Sequence, residues 1–319
     1  MTAKTVKKAE TAAEKKLRRQ KNRTLFINNI DLYLLLLPAL VYLFIFKYIP
    51  MGGLVIAFQN YNIFKGITGS EWVGFANFAK LFTYDEFYKI LGNTLAISVT
   101  KIVLLFPAPI AIALFLNEIR SLTLKKTIQT VIYFPYFLSW IIVAGIFFNI
   151  LSTSGGLLNN LIVKLGGQPV PFLYDNRYFR WVMILSHGWK TVGWNSIVFI
   201  AAIAGIDQEM YEAAEVDGAS RFRRMISITL PSIVPTIIMM FILTIGHILD
   251  AGTEHILTMY NPLVYDTADV IGTYVYRMGI GKMDYSFSAA VGMFESLVGL
   301  VLVLTANYLS RKWTEHSIW

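Results

Sequence analysis

Cysteine is absent from all 319 residues, which removes disulfides, thiolate metal sites and cysteine nucleophiles from consideration. Charge is scarce as well: Asp, Glu, Lys and Arg make up 15% of the chain, and the four histidines are scattered along it. They lack the spacing of a zinc site, and no HExxH or GxSxG stretch occurs. A phosphate-binding loop is missing too, since the only Gly-Lys pair, Gly281-Lys282, precedes Met283 and has Tyr276 where the first glycine of that motif belongs. No paired acid/base set of the kind a membrane-embedded glycosyltransferase or acyltransferase needs can be assembled at one interface.

In place of charge the chain has apolar length. Hydrophobic residues make up 55% of it, the mean hydropathy is +0.55, and several runs approach the roughly 20 residues that cross a bilayer as a helix. The pattern predicts an all-α polytopic membrane protein with six spans near residues 31–58, 92–116, 127–150, 180–206, 232–251 and 287–309. One membrane domain over 31–310 is expected, with no appended soluble enzyme. The first span would be roughly 42 Å long as a single helix, more than the hydrocarbon core requires. It either projects past the bilayer or ends at Pro50-Met51-Gly52-Gly53. Pro107 and Pro109 should kink the second span.

The formal net charge of +8 sits at the ends and in short connectors, which suits a topology signal better than nucleic-acid binding. Residues 1–24 carry nine Lys/Arg. This basic tail, 1–30, either lies as a helix on anionic headgroups or serves only to fix orientation. It is too long and too charged for a signal-peptide n-region, and no small-residue cleavage site follows the first apolar run, so that run is expected to be retained. Three more cations lie in 117–126, three in 211–231, and Arg311 and Lys312 open the 311–319 tail, against seven spread over the three much longer opposite loops. The positive-inside rule then puts both termini and the 207–231 loop in the cytoplasm. Of the opposite loops, 59–90 is rich in aromatics and asparagine, SGGLLNNLIVKLGG reads as an amphipathic helix, and 269–278 as a short one.

The charged island YEAAEVDGASRFRRMISITLP, Tyr211–Pro231, interrupts two of the most apolar regions. Asp207 is placed to cap a helix carrying Glu212-Ala213-Ala214, with acidic residues in the turns where the helix dipole favours them. Gly218 would end that helix or let another backbone approach closely. Arg221, Arg223 and Arg224 then open a segment leading to Ile228, Leu230 and Pro231. Taken alone this is a helix–turn–helix below the membrane, or a loop whose charges are merely solvated.

The spacing of Glu212-Ala213-Ala214, Gly218, Ile228, Leu230 and Pro231 resembles the EAA loop of permease subunits of binding-protein-dependent type I ABC importers, the MetI-like superfamily. The resemblance covers essentially the whole chain, because carbohydrate permeases of that superfamily place this loop between the fourth and fifth of six spans. The segment PMGGLVIAFQNYNIFKGITGSEWVGFANF, residues 50–78, is similar to the branch handling oligosaccharides and polysaccharide fragments. The resemblance implies a coupling helix seated on a cytoplasmic ATPase, with Glu212, Ala213 and Ala214 packing closely, Asp217 and Gly218 at the tip, and Arg221 and Arg224 facing acids of the ATPase. It also implies a second permease as partner, two ABC ATPases that bind MgATP, an extracytoplasmic sugar-binding protein, and residence in a bacterial cytoplasmic membrane. No cofactor is expected on this chain itself.

Polar and aromatic residues at membrane depth are costly and tend to face a cavity or a neighbouring helix. Aromatic rings stack on sugar faces, and carboxylates and amides accept hydroxyl hydrogens. Trp140, Trp189, Trp194, Asn195, Asp250 and Glu254 are the expected substrate contacts, with His187, Lys190 and His247 near them. Interfacial belt positions, interspan salt bridges and ordinary interhelical hydrogen bonds are the competing reading for each. Glu295 in the sixth span either binds substrate or pairs with Lys101 of the second. The alternatives for the whole chain are ABC import of another solute, or an ion-coupled secondary transporter, which would not need an EAA loop.

Overall fold

The structure, a computed structural model, describes residues 28–314 together with Leu17, Gln20, Lys21, Thr24 and Leu25. Most of the basic 1–30 tail and the end of the 311–319 tail lie outside the described residues. Among the described residues three helices are long and apolar enough to cross a membrane alone, and three bent helix pairs, each counted as one span, bring the number to as many as six.

The chain divides into two compact units, Met1–Val55 and Ile56–Trp319. The first holds most of span 1, which runs over Ile30–Phe58. None of the residues of its leading helix, Ile30–Leu43, is buried, as suits a helix apolar on every side and solvated by lipid. A π turn at Phe44–Tyr48 comes directly before Pro50. Proline brings no N–H to the preceding turn, and the wider turn absorbs the mismatch. Pro50 therefore does not end the span: the helix passes through Met51 and tightens into a 3-10 stretch over Gly52–Phe58.

The second unit begins with a short antiparallel pair, Gln59 opposite Trp72 and Asn60 opposite Glu71. Its loop is pinned by Asn77, whose amide donates to the carbonyls of Ala57 and Gln59, and by the Lys80–Asp284 ion pair at 3.1 Å. Span 2 is two helices, Asp85–Leu105 and Pro107–Glu118, with the kink at the expected prolines. Pro107 opens the second helix, where its missing N–H costs no internal bond.

Span 3 departs from the single run expected over 127–150. Leu122–Phe137 and Trp140–Leu151 meet at 104°. Pro135 lies in the last turn of the first piece, Leu138 is extended, and Ser139 restarts the helix by accepting the Ile142 N–H. Proline as a stop and serine as an N-cap outweigh the continuous hydropathy.

Span 4, Asn176–Ala204, is the central element, packed on both halves of span 2, on span 3 and on span 5. At Gly193 a methyl group would fall 2.0 Å from the Ile132 carbonyl oxygen, so a larger residue would push spans 3 and 4 apart. Span 5 is helical over Val234–Gly246, short of the Ala251 expected from hydropathy: His247 leaves the helical region, and the turns that follow reach Ala251 and Gly252 in left-handed backbone, with φ of 51° and 82°. Span 6 runs over Tyr285–Thr314 and packs along span 5. Between spans 3 and 4 the Leu157–Lys164 helix forms as expected, and Ile271–Tyr276 supplies the short helix expected near 269–278.

Buried side chains gather in clusters at the two ends of this unit. One joins Ala113, Phe199, Ile203 and Ile233 near the 207–231 loop. Two others join spans 2, 3, 4 and 6 to the segments between spans, through Phe87, Phe179, Tyr274 and Phe287 among others. Between them the polar groups of spans 2, 4 and 5 come together.

Candidate functional site

Two features are candidates for function, and each is built from local rules. The first is the 207–231 loop. Asp207 accepts the Glu209 N–H at 3.0 Å and starts the Gln208–Val216 helix. Its far end closes as a Schellman motif: Ala219 N–H reaches the Ala214 carbonyl at 2.9 Å and Gly218 N–H the Glu215 carbonyl at 3.0 Å. Gly218 sits at φ +74°, the left-handed value this closure requires and glycine meets without strain. Ser220 then caps Arg221–Arg224, and a π turn at Met225–Thr229 again precedes a proline, Pro231.

The two arms of the loop are tied together. Arg224 donates to Glu215 at 2.6 Å, with only 17% of the arginine side chain exposed. The guanidinium holds the Glu215 carboxyl below the usual carboxylate range, first by this hydrogen bond and then by its charge. Tyr211 and Thr229 share a hydroxyl hydrogen bond at 2.9 Å. Glu212, Ala213, Asp217, Gly218 and Arg221 are exposed and Ala214 half-buried, so most of the predicted coupling residues form an open surface. Arg224 instead points inward.

The second feature is a cavity of about 400 Å³ between spans 2, 4 and 5. Ser98 and Lys101 reach it from span 2, His187, Thr191 and Asn195 from span 4, and Asp250 from the turn after span 5. His187, Thr191 and Asn195 are four residues apart and share one helical face. Lys101 is buried and donates to the Ala251 carbonyl at 2.7 Å, and His187 Nδ1 is buried without a partner. The rest of the lining is mostly apolar, including Phe106, Phe199 and Leu243.

Of the predicted substrate contacts, Asn195 and Asp250 line this cavity. Trp140 stands behind its wall, stacked on His187 at 5.6 Å and on His255 at 4.1 Å between ring centres. Trp194 lies flat on Tyr136 at 4.4 Å and fills the break of span 3. Trp189 points away, edge-on to Phe147 at 5.8 Å, and Glu254 is exposed outside the lining. Lys101 and Glu295 form no ion pair among the described residues; the lysine donates to the Ala251 carbonyl. Lys101, Ser98 and Thr191 were not among the expected contacts, though the i, i+3 pair Ser98 and Lys101 and the i, i+4 pair Thr191 and Asn195 were visible as polar stripes on apolar helices.

The comparisons agree with this architecture. A family model described as "Binding-protein-dependent transport system inner membrane component" matches residues 106–315. The polygalacturonan/rhamnogalacturonan transport system permease protein YteP of Bacillus subtilis (strain 168) is 44% identical over 305 residues, 95% of each chain. A crystal structure of a bacterial alginate ABC transporter in complex with an alginate pentasaccharide-bound periplasmic protein has a chain 41% identical to this one, with a TM-score of 0.83 over 92% of this chain and 99% of that one. A second, of a bacterial ABC transporter involved in import of the acidic polysaccharide alginate, gives a TM-score of 0.84 at the same identity and coverage. With a capped loop between the fourth and fifth of six spans and a family match over most of its length, the chain belongs to the MetI-like membrane permeases of binding-protein-dependent ABC importers.

Proposed function

We propose that this permease forms, with a second permease subunit, the transmembrane pathway for ATP-driven import of an oligosaccharide. An extracytoplasmic binding protein would deliver the cargo, and two cytoplasmic ABC ATPases would bind and hydrolyse MgATP. Both termini and the 207–231 loop would then lie in the cytoplasm of a bacterial cell, as the distribution of Lys and Arg favours. The relatives that handle galacturonan, rhamnogalacturonan and alginate support a saccharide cargo. The lining supports it too, since Asn195, Thr191 and Asp250 offer hydroxyl partners beside apolar walls.

The observation that carries the coupling reading is that the Gln208–Val216 helix is short, capped at both ends and fastened to its own return arm. Such an element moves as a body. A push from an ATPase on the exposed Glu212, Ala213 and Asp217 surface passes through Tyr211–Thr229 toward span 5 and through Asp207 into span 4, tilting two of the three spans that line the cavity. Arg221 remains available for an acid on the ATPase, while Arg224 stiffens the lever.

Gly218→Asp forces a side chain into left-handed backbone and puts an anion at the tip; Glu212→Lys reverses charge on the docking face. In proteoliposomes holding the complete transporter, each change is expected to leave membrane assembly intact and remove substrate-stimulated ATP hydrolysis and uptake. Normal coupling in both variants would defeat the assignment. Uptake that follows an imposed ion gradient without ATP would favour a secondary transporter instead.

A further inference from the structure

We infer that Lys101 and His187 form a carboxylate-binding subsite in the membrane cavity, so that the cargo is an acidic saccharide bearing uronate groups. This rests on the oligosaccharide reading above and goes on to assign the site within the chain that recognises the acid.

Two buried lysines, Lys101 and Lys190, are treated differently by their surroundings. An ammonium at membrane depth is expensive unless its N–H donors are met. Lys190 is met: it donates to the Tyr136 and Leu138 carbonyls at 2.6 Å each and lies 5.1 Å from the centre of the Trp140 ring. It closes the break in span 3 and lies outside the cavity lining. Lys101 makes one described hydrogen bond, to Ala251, and lines the cavity. An ammonium carries three donors, which leaves two for a ligand.

The second group is His187, whose Nδ1 is buried, without a partner and on the same cavity. The two nitrogens converge on one point. A methyl group built on Gly252 would lie 2.9 Å from Lys101 Nζ and 3.6 Å from His187 Nδ1, too close to the ammonium, so the glycine leaves the lysine its place beside the histidine. One carboxylate oxygen can take a Lys101 N–H while the other takes the His187 N–H in its Nδ1-protonated form. Asp250 stands near enough for its charge to act on Lys101, but no ion pair joins them among the described residues, and one of its oxygens takes the Thr253 N–H at 3.3 Å. Its remaining acceptor, with the Asn195 amide, suits sugar hydroxyls. The cavity therefore sets a cation for the acid group beside polar groups for the ring substituents, and a neutral sugar would offer Lys101 no anionic partner.

The test uses the complete transporter in lipid nanodiscs and compares binding of trigalacturonate with binding of its methyl ester, which removes the charge of the acid groups and adds a methyl to each. Wild type is expected to bind the acid about tenfold or more tightly than the ester, the range of a charged hydrogen bond. Lys101→Met and His187→Gln should each lower the acid-to-ester ratio, and Lys101→Arg should retain it. An unchanged acid-to-ester ratio in both neutral variants overturns the subsite. A parallel loss of acid and ester overturns it in favour of a purely structural lysine on Ala251. Should Lys101→Met fail to assemble, His187→Gln alone decides between these outcomes. If wild type binds neither galacturonan form but does bind neutral trigalactose, the subsite fails and the oligosaccharide reading stands. If no saccharide binds or is transported, that reading fails with it.

Discussion

Arg224 shows how far a motif can be read from its residues. In sequence it stands with Arg221 as a cation facing outward, but its guanidinium turns back onto Glu215. That contact spans nine residues and exists only because the Schellman closure at Gly218 reverses the chain. Nothing in composition or helical period announces it. Since Glu215 is fully exposed, the pair adds little stability in water; what it fixes is the angle between the arms of the loop. The shift in Glu215 is downward, so the pair stays ionised below the pH at which an ordinary glutamate protonates and is lost as pH falls through the depressed value. Arg224→Glu is therefore expected to lower substrate-stimulated ATPase activity by about tenfold or more, and the swap Glu215→Arg with Arg224→Glu to recover much of it. A swapped variant as inactive as the single one would mean that Arg224 acts on the ATPase directly.

At the scale of elements, the proline-bearing breaks were partly legible. Pro107 signalled the kink of span 2, whereas span 3 read as one run because hydropathy is indifferent to a bend. The signal was present in Pro135 followed four residues later by Ser139, a stop and a restart. What the sequence could not supply was the means of satisfying the freed carbonyls, which comes from Lys190 on another span. A carbonyl stripped of its partner in a buried setting costs about 1–3 kcal/mol, while loss of a serine N-cap costs about 1 kcal/mol. Thermal unfolding of the detergent-solubilised transporter should therefore show a larger drop in Tm for Lys190→Met than for Ser139→Ala. The reverse order would place the burden of holding the break on the Trp194–Tyr136 stack and not on the lysine.

For the whole molecule, six spans and the loop between the fourth and fifth were readable because hydropathy, basic-residue bias and cap residues are properties of the chain itself. The cavity was not, since membership depends on how each helix is rotated. Trp189, Trp194 and Asn195 are close in sequence, yet they face Phe147, the span 3 break and the cavity respectively. If spans 4 and 5 tilt with the loop, only the last of these positions should change its exposure to water during transport. The absence of cysteine makes that measurable, because Asn195→Cys, Asp250→Cys and Trp189→Cys would each carry a single thiol. Labelling by a membrane-impermeant maleimide, applied from each side in turn, should shift by about tenfold or more at positions 195 and 250 when the ATPases are trapped with ATP and vanadate. The thiol at 189 should label alike in both states. Equal behaviour at all three positions would mean that the cavity does not alternate, and the link from loop to pathway would have to be abandoned.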